Sequence, residues 1–210
     1  MNKLGDLSCN DFLTELASAA PAPGGGGGAA MAGALAAALA SMVANLTIGK
    51  EKFADREPEV KELLQQAEAE RLRLLELVDE DAAVFNSFMS CYKLPKATDE
   101  EKAARTAAIR AAAKQAATVP LNIARSSFAV LQLADKLVVS GNPGVITDGA
   151  CSGLLARAAL RCAEYNVRIN LGLTKDEAWN AQAAAELVQL LTDAEALETR
   201  LLAVTDKALQ

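Results

Sequence analysis

The 210 residues include no histidine, which removes the commonest metal ligand and the commonest general base. Histidine-based triads and His/Cys zinc sites are excluded at once. Two features then stand out. The first is Pro21-Ala-Pro-Gly-Gly-Gly-Gly-Gly-Ala-Ala-Met31, a proline-punctuated glycine run that opens into an alanine-rich segment. Without a Cβ, Gly24, Gly25, Gly26, Gly27 and Gly28 can lay bare amides against a flat or anionic ligand at a helix N-terminus. A plain flexible loop feeding a core helix has the same composition. Neither a Gly-Lys-Ser/Thr ending nor a preceding strand is present to make the run a phosphate loop or a dinucleotide fingerprint. The second feature is Asp81, three residues after Val78 and four before Phe85. That spacing puts a carboxylate along or beside an apolar helix stripe, where it must be paired, wetted or used. Periodicity leaves open whether it simply reaches solvent at the stripe's edge.

Side-chain amides supply a third, weaker signal. Asn166-Val-Arg-Ile-Asn170-Leu-Gly172 is unusually polar between apolar neighbours, and Asn166 and Asn170 can satisfy buried backbone or a ligand. Cys9, Cys91, Cys151 and Cys162 form no CxxC pair. Cys151 and Cys162 share a face if one helix carries both, and they read as small buried side chains.

Helices must position these groups, since no credible strand occurs. The expected order begins with a short helix over Leu7 to Ala20, capped by Ser8 with Asp11 and stopped by Pro21. A second helix is expected from about Ala29 to Ile48, ended by Gly49 with Lys50 at its negative end. Pro58 suits the first turn of a long amphipathic third helix reaching about Cys91. Thr98 and Glu101 make a capping box for a fourth, and Pro120 either kinks that helix or starts another. Ser140 to Thr147 is a second loop, after which Thr147 or Asp148 caps a helix that carries Asn166 and Asn170. Thr174 with Glu177 reads as a capping box for the last helix. The whole is an all-α multi-helix bundle, with residues 1–210 as one domain.

A net charge of −6 with scattered basic residues argues against nucleic-acid binding. The span from Leu16 to Gly49 is uncharged but dominated by glycine and alanine, which argues against a membrane helix. No secretory-type apolar run follows Met1 to Asp6, and a cytoplasmic location is expected.

Taken in order, several segments resemble the formiminotransferase-cyclodeaminase C-terminal family over nearly the whole chain. They are the glycine run with its small-residue helix (Pro21 to Ala44), Asn45-Leu-Thr-Ile-Gly-Lys50, Asp81-x-x-x-Phe85, Val119-Pro120-Leu121, Gly141-Asn142 with Thr147-Asp148, and Asn166-Val-x-Ile-Asn170-Leu171. The resemblance implies an all-helical homodimer and a tetrahydrofolate derivative as substrate. It implies a folate one-carbon reaction, formimidoyltetrahydrofolate cyclodeaminase or methenyltetrahydrofolate cyclohydrolase, with no metal or other cofactor. It further implies that Asp81 is the general acid/base, that Gly24 to Gly27 contact substrate, and that Asp148, Asn166, Asn170 and Lys50 are polar ligands. Arg168 is a second choice for the glutamate tail. One departure is that Gly27 stands where the family's glycine loop usually has serine. An alternative reading follows, a non-catalytic helical protein that binds folate or a partner helix and lost activity with that hydroxyl.

Overall fold

A computed structural model describes residues 3–210; Met1 and Asn2, at the head of the segment read as lacking a secretory run, lie outside it. The described residues form helices α1 (Cys9–Leu16), α2 (Gly25–Asn45), α3 (Glu57–Cys91), α4 (Asp99–Ser140), α5 (Ile146–Thr174) and α6 (Glu177–Ala208), with three short 3₁₀ turns and no strand among them. Local chemistry starts and stops several of these helices. Ser8 Oγ accepts the Asp11 amide at 3.1 Å to open α1, and Pro58 lies in the first turn of α3. The α4 box closes in both directions: Thr98 Oγ1 accepts from Glu101 N at 3.2 Å, and Glu101 Oε2 accepts from Thr98 N at 3.1 Å. Gly49, at φ +76°, turns the chain after α2 in the left-handed region that glycine tolerates.

Helix α2 is the hub, packed against α3, α4 and α5, while α6 covers α4 and α5. Its small side chains permit that position. Ala30, Ala36, Ala37, Ala40 and Ala44 are fully buried, and a Cβ on Gly33 would fall 3.0 Å from Leu74 Cδ2 and 3.1 Å from Ser127 Oγ. Backbone therefore meets side chain directly at the α2–α3–α4 junction. Helix α2 is long and apolar enough to cross a membrane, yet most of it is buried inside the bundle. Around it Leu74, Leu77, Ile123, Leu131, Leu160 and Leu201 form the main core. Each such leucine contributes about 1.5–3 kcal/mol relative to exposure.

Several expected boundaries move. Helix α1 stops at Leu16, four residues before Ala20. Helix α2 begins at Gly25, so four of the five glycines form its first turn and are not a loop before it. Packing overrides glycine's poor helix propensity here, because only glycine lets α3 come so close. Helix α5 starts at Ile146 with Val145 as its cap residue, placing Thr147 and Asp148 inside the first turn. Asp176, not Thr174, caps α6: its Oδ1 accepts the Trp179 amide at 3.1 Å, while Thr174 ends α5 and donates to Leu171 O. Cys9, Cys151 and Cys162 are exposed and Cys91 is partly exposed, so the expectation of buried cysteines on α5 fails. Their spacing does place Cys151 and Cys162 on one face, but that face points outward.

Pro120 sits inside an unbroken α4. Proline has no N–H to give the carbonyl one turn earlier, Ala116 O. Asn170 of α5 supplies the missing donor, its Nδ2 reaching Ala116 O at 2.9 Å. A side-chain amide thus repairs the helix and ties α5 to α4.

Candidate active site

The most substantial cavity lies where the N-terminus of α2, the middle of α3 and the C-terminal half of α5 converge. Its volume is about 400 Å³, within the range of small-molecule sites. Asp81 reaches it from α3. Leu77 and Val78, just before Asp81, are fully buried, which fixes the helix rotation, and Phe85 and Phe88 continue the same face one and two turns on. The carboxylate lies directly against α2. A Cβ on Gly26 would come within 2.6 Å of Asp81 Cγ, well inside van der Waals contact, and one on Gly27 would lie 3.8 Å from Asp81 Oδ2. Glycine at 26 is a steric requirement of the site.

Neighbouring acids are committed elsewhere. Asp79 Oδ1 accepts the Leu4 amide at 2.6 Å, and Glu80 pairs with Arg73 at 2.6 Å. Asp81 is the one ionisable side chain among the residues lining the cavity. Burial pushes its carboxyl above the ordinary carboxylate value, and the Gly27 amide pulls it partly back. The first intrahelical bond of α2 runs from Gly28 N to Gly24 O at 2.9 Å. The amides of Gly25, Gly26 and Gly27 therefore have no carbonyl within their own helix, and that of Gly27 donates to the carboxylate.

The opposite wall comes from α4 and α5. Asn166 packs on α2, its amide 3.6 Å from where a Gly25 Cβ would be, and donates through Nδ2 to Cys162 O at 2.9 Å. Asn170 Nδ2 spends its protons on Ala116 O and Asn166 O, at 2.9 and 2.8 Å. Its carbonyl oxygen is the atom left to accept from a ligand. Val84, Val119, Ile169 and Leu173 complete an apolar lining that also takes in Pro21, Ala22 and Ala116. The arrangement offers an apolar cavity with one carboxyl of raised pKa and a few directed polar atoms. Such a site suits acid/base chemistry.

Gly24, Gly25, Gly26, Asp81, Asn166 and Asn170 thus line one cavity, with Gly27 directly behind Asp81. Lys50 and Asp148 are not brought there. About 30 Å of helix rise separates Gly25 from Asn45, just before Lys50, and about 27 Å separates Asp148 from Asn166. Both sit at the far end because α2 and α5 run the length of the bundle. Arg168 is exposed and lies 3.3 Å from Glu164 Oε1. Sequence reasoning missed Val84, Phe88, Ala116, Val119, Ile169 and Leu173. Phe88 was available from its spacing to Asp81 and Phe85, and Ala116 from its place four residues before Pro120.

Fold and site together define an all-α protein with a single cavity-lining carboxylate held at a glycine helix terminus. A profile of the formiminotransferase-cyclodeaminase family matches residues 8–189, and the chain belongs to that family. It is 44% identical over 197 residues to methenyltetrahydrofolate cyclohydrolase of Methylorubrum extorquens, covering 94% of this chain and 95% of that one. It is 34% identical over 183 residues to formimidoyltransferase-cyclodeaminase of Sus scrofa, covering 87% of this chain but 34% of the pig protein. The crystal structure of formiminotetrahydrofolate cyclodeaminase from Thermotoga maritima superposes with a TM-score of 0.88 at 30% identity, over 98% of both chains.

Proposed function

We infer that this chain is a folate one-carbon enzyme that opens or closes the methenyl bridge of tetrahydrofolate, and that it acts as a methenyltetrahydrofolate cyclohydrolase. The observation that carries the reading is Asp81, a carboxylate with a raised pKa, seated against Gly26 as the only ionisable group of an apolar cavity. The 44% identity with a cyclohydrolase of matching length favours water as the nucleophile. In that reaction ionised Asp81 takes a proton from water as its oxygen adds to the methenyl carbon. The tetrahedral intermediate then collapses: the bond to N5 breaks, the proton held on Asp81 passes to that nitrogen, and the hydroxyl proton leaves to solvent as the C=O forms, so one proton is released overall. The product is 10-formyltetrahydrofolate. The conversion is redox-neutral and needs only a nucleophile and a relayed proton, so the proposal includes no metal or redox cofactor. The likeness to the Thermotoga maritima structure supports a second reading, cyclodeaminase, in which N10 is the nucleophile and ammonia the leaving group.

The enzyme is proposed to be cytoplasmic, with four free thiols suited to a reducing compartment, and to act as a homodimer without nucleic-acid or membrane partners. The uncharged exposed stripe Leu35, Ala38, Met42 and Leu46 on α2 is the proposed dimer face.

The test is near-ultraviolet absorbance of the methenyl chromophore. Enzyme-accelerated loss of the band from 5,10-methenyltetrahydrofolate is the expected result, slowed by about 10²–10⁴-fold in Asp81→Asn. Growth of the band from 5-formiminotetrahydrofolate, with ammonia released, would assign cyclodeaminase instead. No change with either substrate would overturn the reading.

A further inference from the structure

We propose that Arg105 binds the carboxylate tail of the folate substrate and sets a preference for glutamylated over tail-less pterins. This rests on the function proposed above. On this proposal the benzoylglutamate arm of a pterin held at Asp81 follows the aromatic face of α3. Asp81, Phe85, Phe88 and Tyr92 recur at four-, three- and four-residue steps on one face, spanning about 16 Å of helix rise. Phe85 and Phe88 line the cavity. Tyr92 continues it, its ring edge-on to Phe88 with centroids 5.3 Å apart.

Arg105 closes this aromatic track. Its guanidinium carbon lies 5.5 Å from the centre of the Tyr92 ring, and one terminal nitrogen donates to Tyr92 O at 3.3 Å. Its Nε is buried with no hydrogen-bond partner among the described residues. A buried guanidinium N–H without an acceptor is costly unless something supplies one. Of the other cations of α4 near it, Lys102 pairs with Asp99 and Lys114 with Asp176, each at 2.8 Å, while Arg110 is exposed and does not stack on the aromatic track. Glu101, one turn before Arg105, is spent on the amides of Ala97 and Thr98. Arg105 is therefore a stacked, oriented guanidinium with no carboxylate partner among the described residues, whose remaining N–H groups can donate to a ligand carboxylate.

The test compares wild type, Arg105→Gln and Arg105→Lys on 5,10-methenyltetrahydrofolate and on its pteroate analogue, which lacks glutamate. The expected result is a KM raised about tenfold or more by Arg105→Gln on the glutamylated substrate alone, kcat unchanged, with partial recovery in Arg105→Lys. An unchanged KM, or an equal rise for both substrates, would overturn the assignment, the latter marking Arg105 as purely structural. Should wild type turn over neither substrate, the proposed reaction fails while the tail site stays testable. Calorimetric binding of p-aminobenzoylglutamate that weakens in Arg105→Gln would uphold it, and equal or absent binding in both proteins would overturn it.

Discussion

At the Lys50 end of the bundle Asn142 is almost completely occupied. Its backbone N–H goes to Thr47 Oγ1 at 2.8 Å, its Nδ2 to Leu46 O at 3.1 Å, and its Oδ1 accepts Gly144 N at 3.0 Å. Thr47 Oγ1 in turn donates to Val43 O at 2.7 Å. At the Gly24 end Asp81 has no cation beside it, and the Gly25 to Gly27 amides have no carbonyl within their helix. Both ends place short polar residues against the termini of α2. One uses them to stitch α2 to the α4–α5 turn, and the other leaves them facing a cavity. Polar groups bonded to backbone on every side are structural, whereas polar groups in an apolar site with capacity to spare can do chemistry.

The contrast is broken most severely by Gly26→Ala. The new methyl group would occupy the space of the Asp81 carboxyl, and displacing that group by an ångström is expected to lower kcat/KM about hundredfold. Circular dichroism of the variant should still report a helical fold. The mirror experiment is Asn142→Ala. It leaves the Leu46 carbonyl and the Gly144 amide, both in part-buried hydrogen bonds, short of a partner and should cost about 1 kcal/mol in denaturant unfolding, with kcat and KM held within twofold. A smaller effect sharpens the border between the two roles. Asn170 serves both the cavity and Ala116 O, so Asn170→Ala should cost about 1 kcal/mol with Pro120 in place. It should cost less in a Pro120→Ala background, where the restored backbone N–H reaches the same carbonyl.

The legible part of this chain was its local chemistry. Ser8, Pro58, Thr98 with Glu101, and Gly49 each announce a helix end through a hydrogen bond or a dihedral that no distant residue alters. Two glycine and threonine readings failed because tertiary contacts decide them. Gly25 to Gly28 are helical in a packed setting, with Asn166 of α5 against Gly25, α3 against Gly26 and Gly27, and Leu16 of α1 against Gly28, and Thr174 cannot cap α6 while its hydroxyl faces Leu171 O and Asn180. Asp81, Asn166, Asn170 and the glycines were legible as a set, through their residue types and through the family resemblance. Lys50 and Asp148 were grouped with them because order along a chain does not say at which end of a helix pair a residue lies. The aromatic track was half legible: its spacing is in the sequence, but its terminus at Arg105 requires the α3–α4 packing.

Asp81 also links function to stability. Its carboxyl holds a proton more tightly in the folded chain than in the unfolded one. The stability this gives is complete below the ordinary carboxylate value and is lost as pH rises through the elevated folded value. Asp81→Asn removes that slope and should melt no lower than wild type at neutral pH, as stability curves at several pH values will establish.

The most direct measurement of the central claim is the pH dependence of kcat/KM for methenyltetrahydrofolate hydrolysis. An ionised Asp81 acting as base predicts a rate that rises with pH through a single carboxylate step, placed above the ordinary carboxylate range, then levels off. In Asp81→Asn the residual rate should lack that step. The same step in both proteins would contradict the account and assign the base to another group.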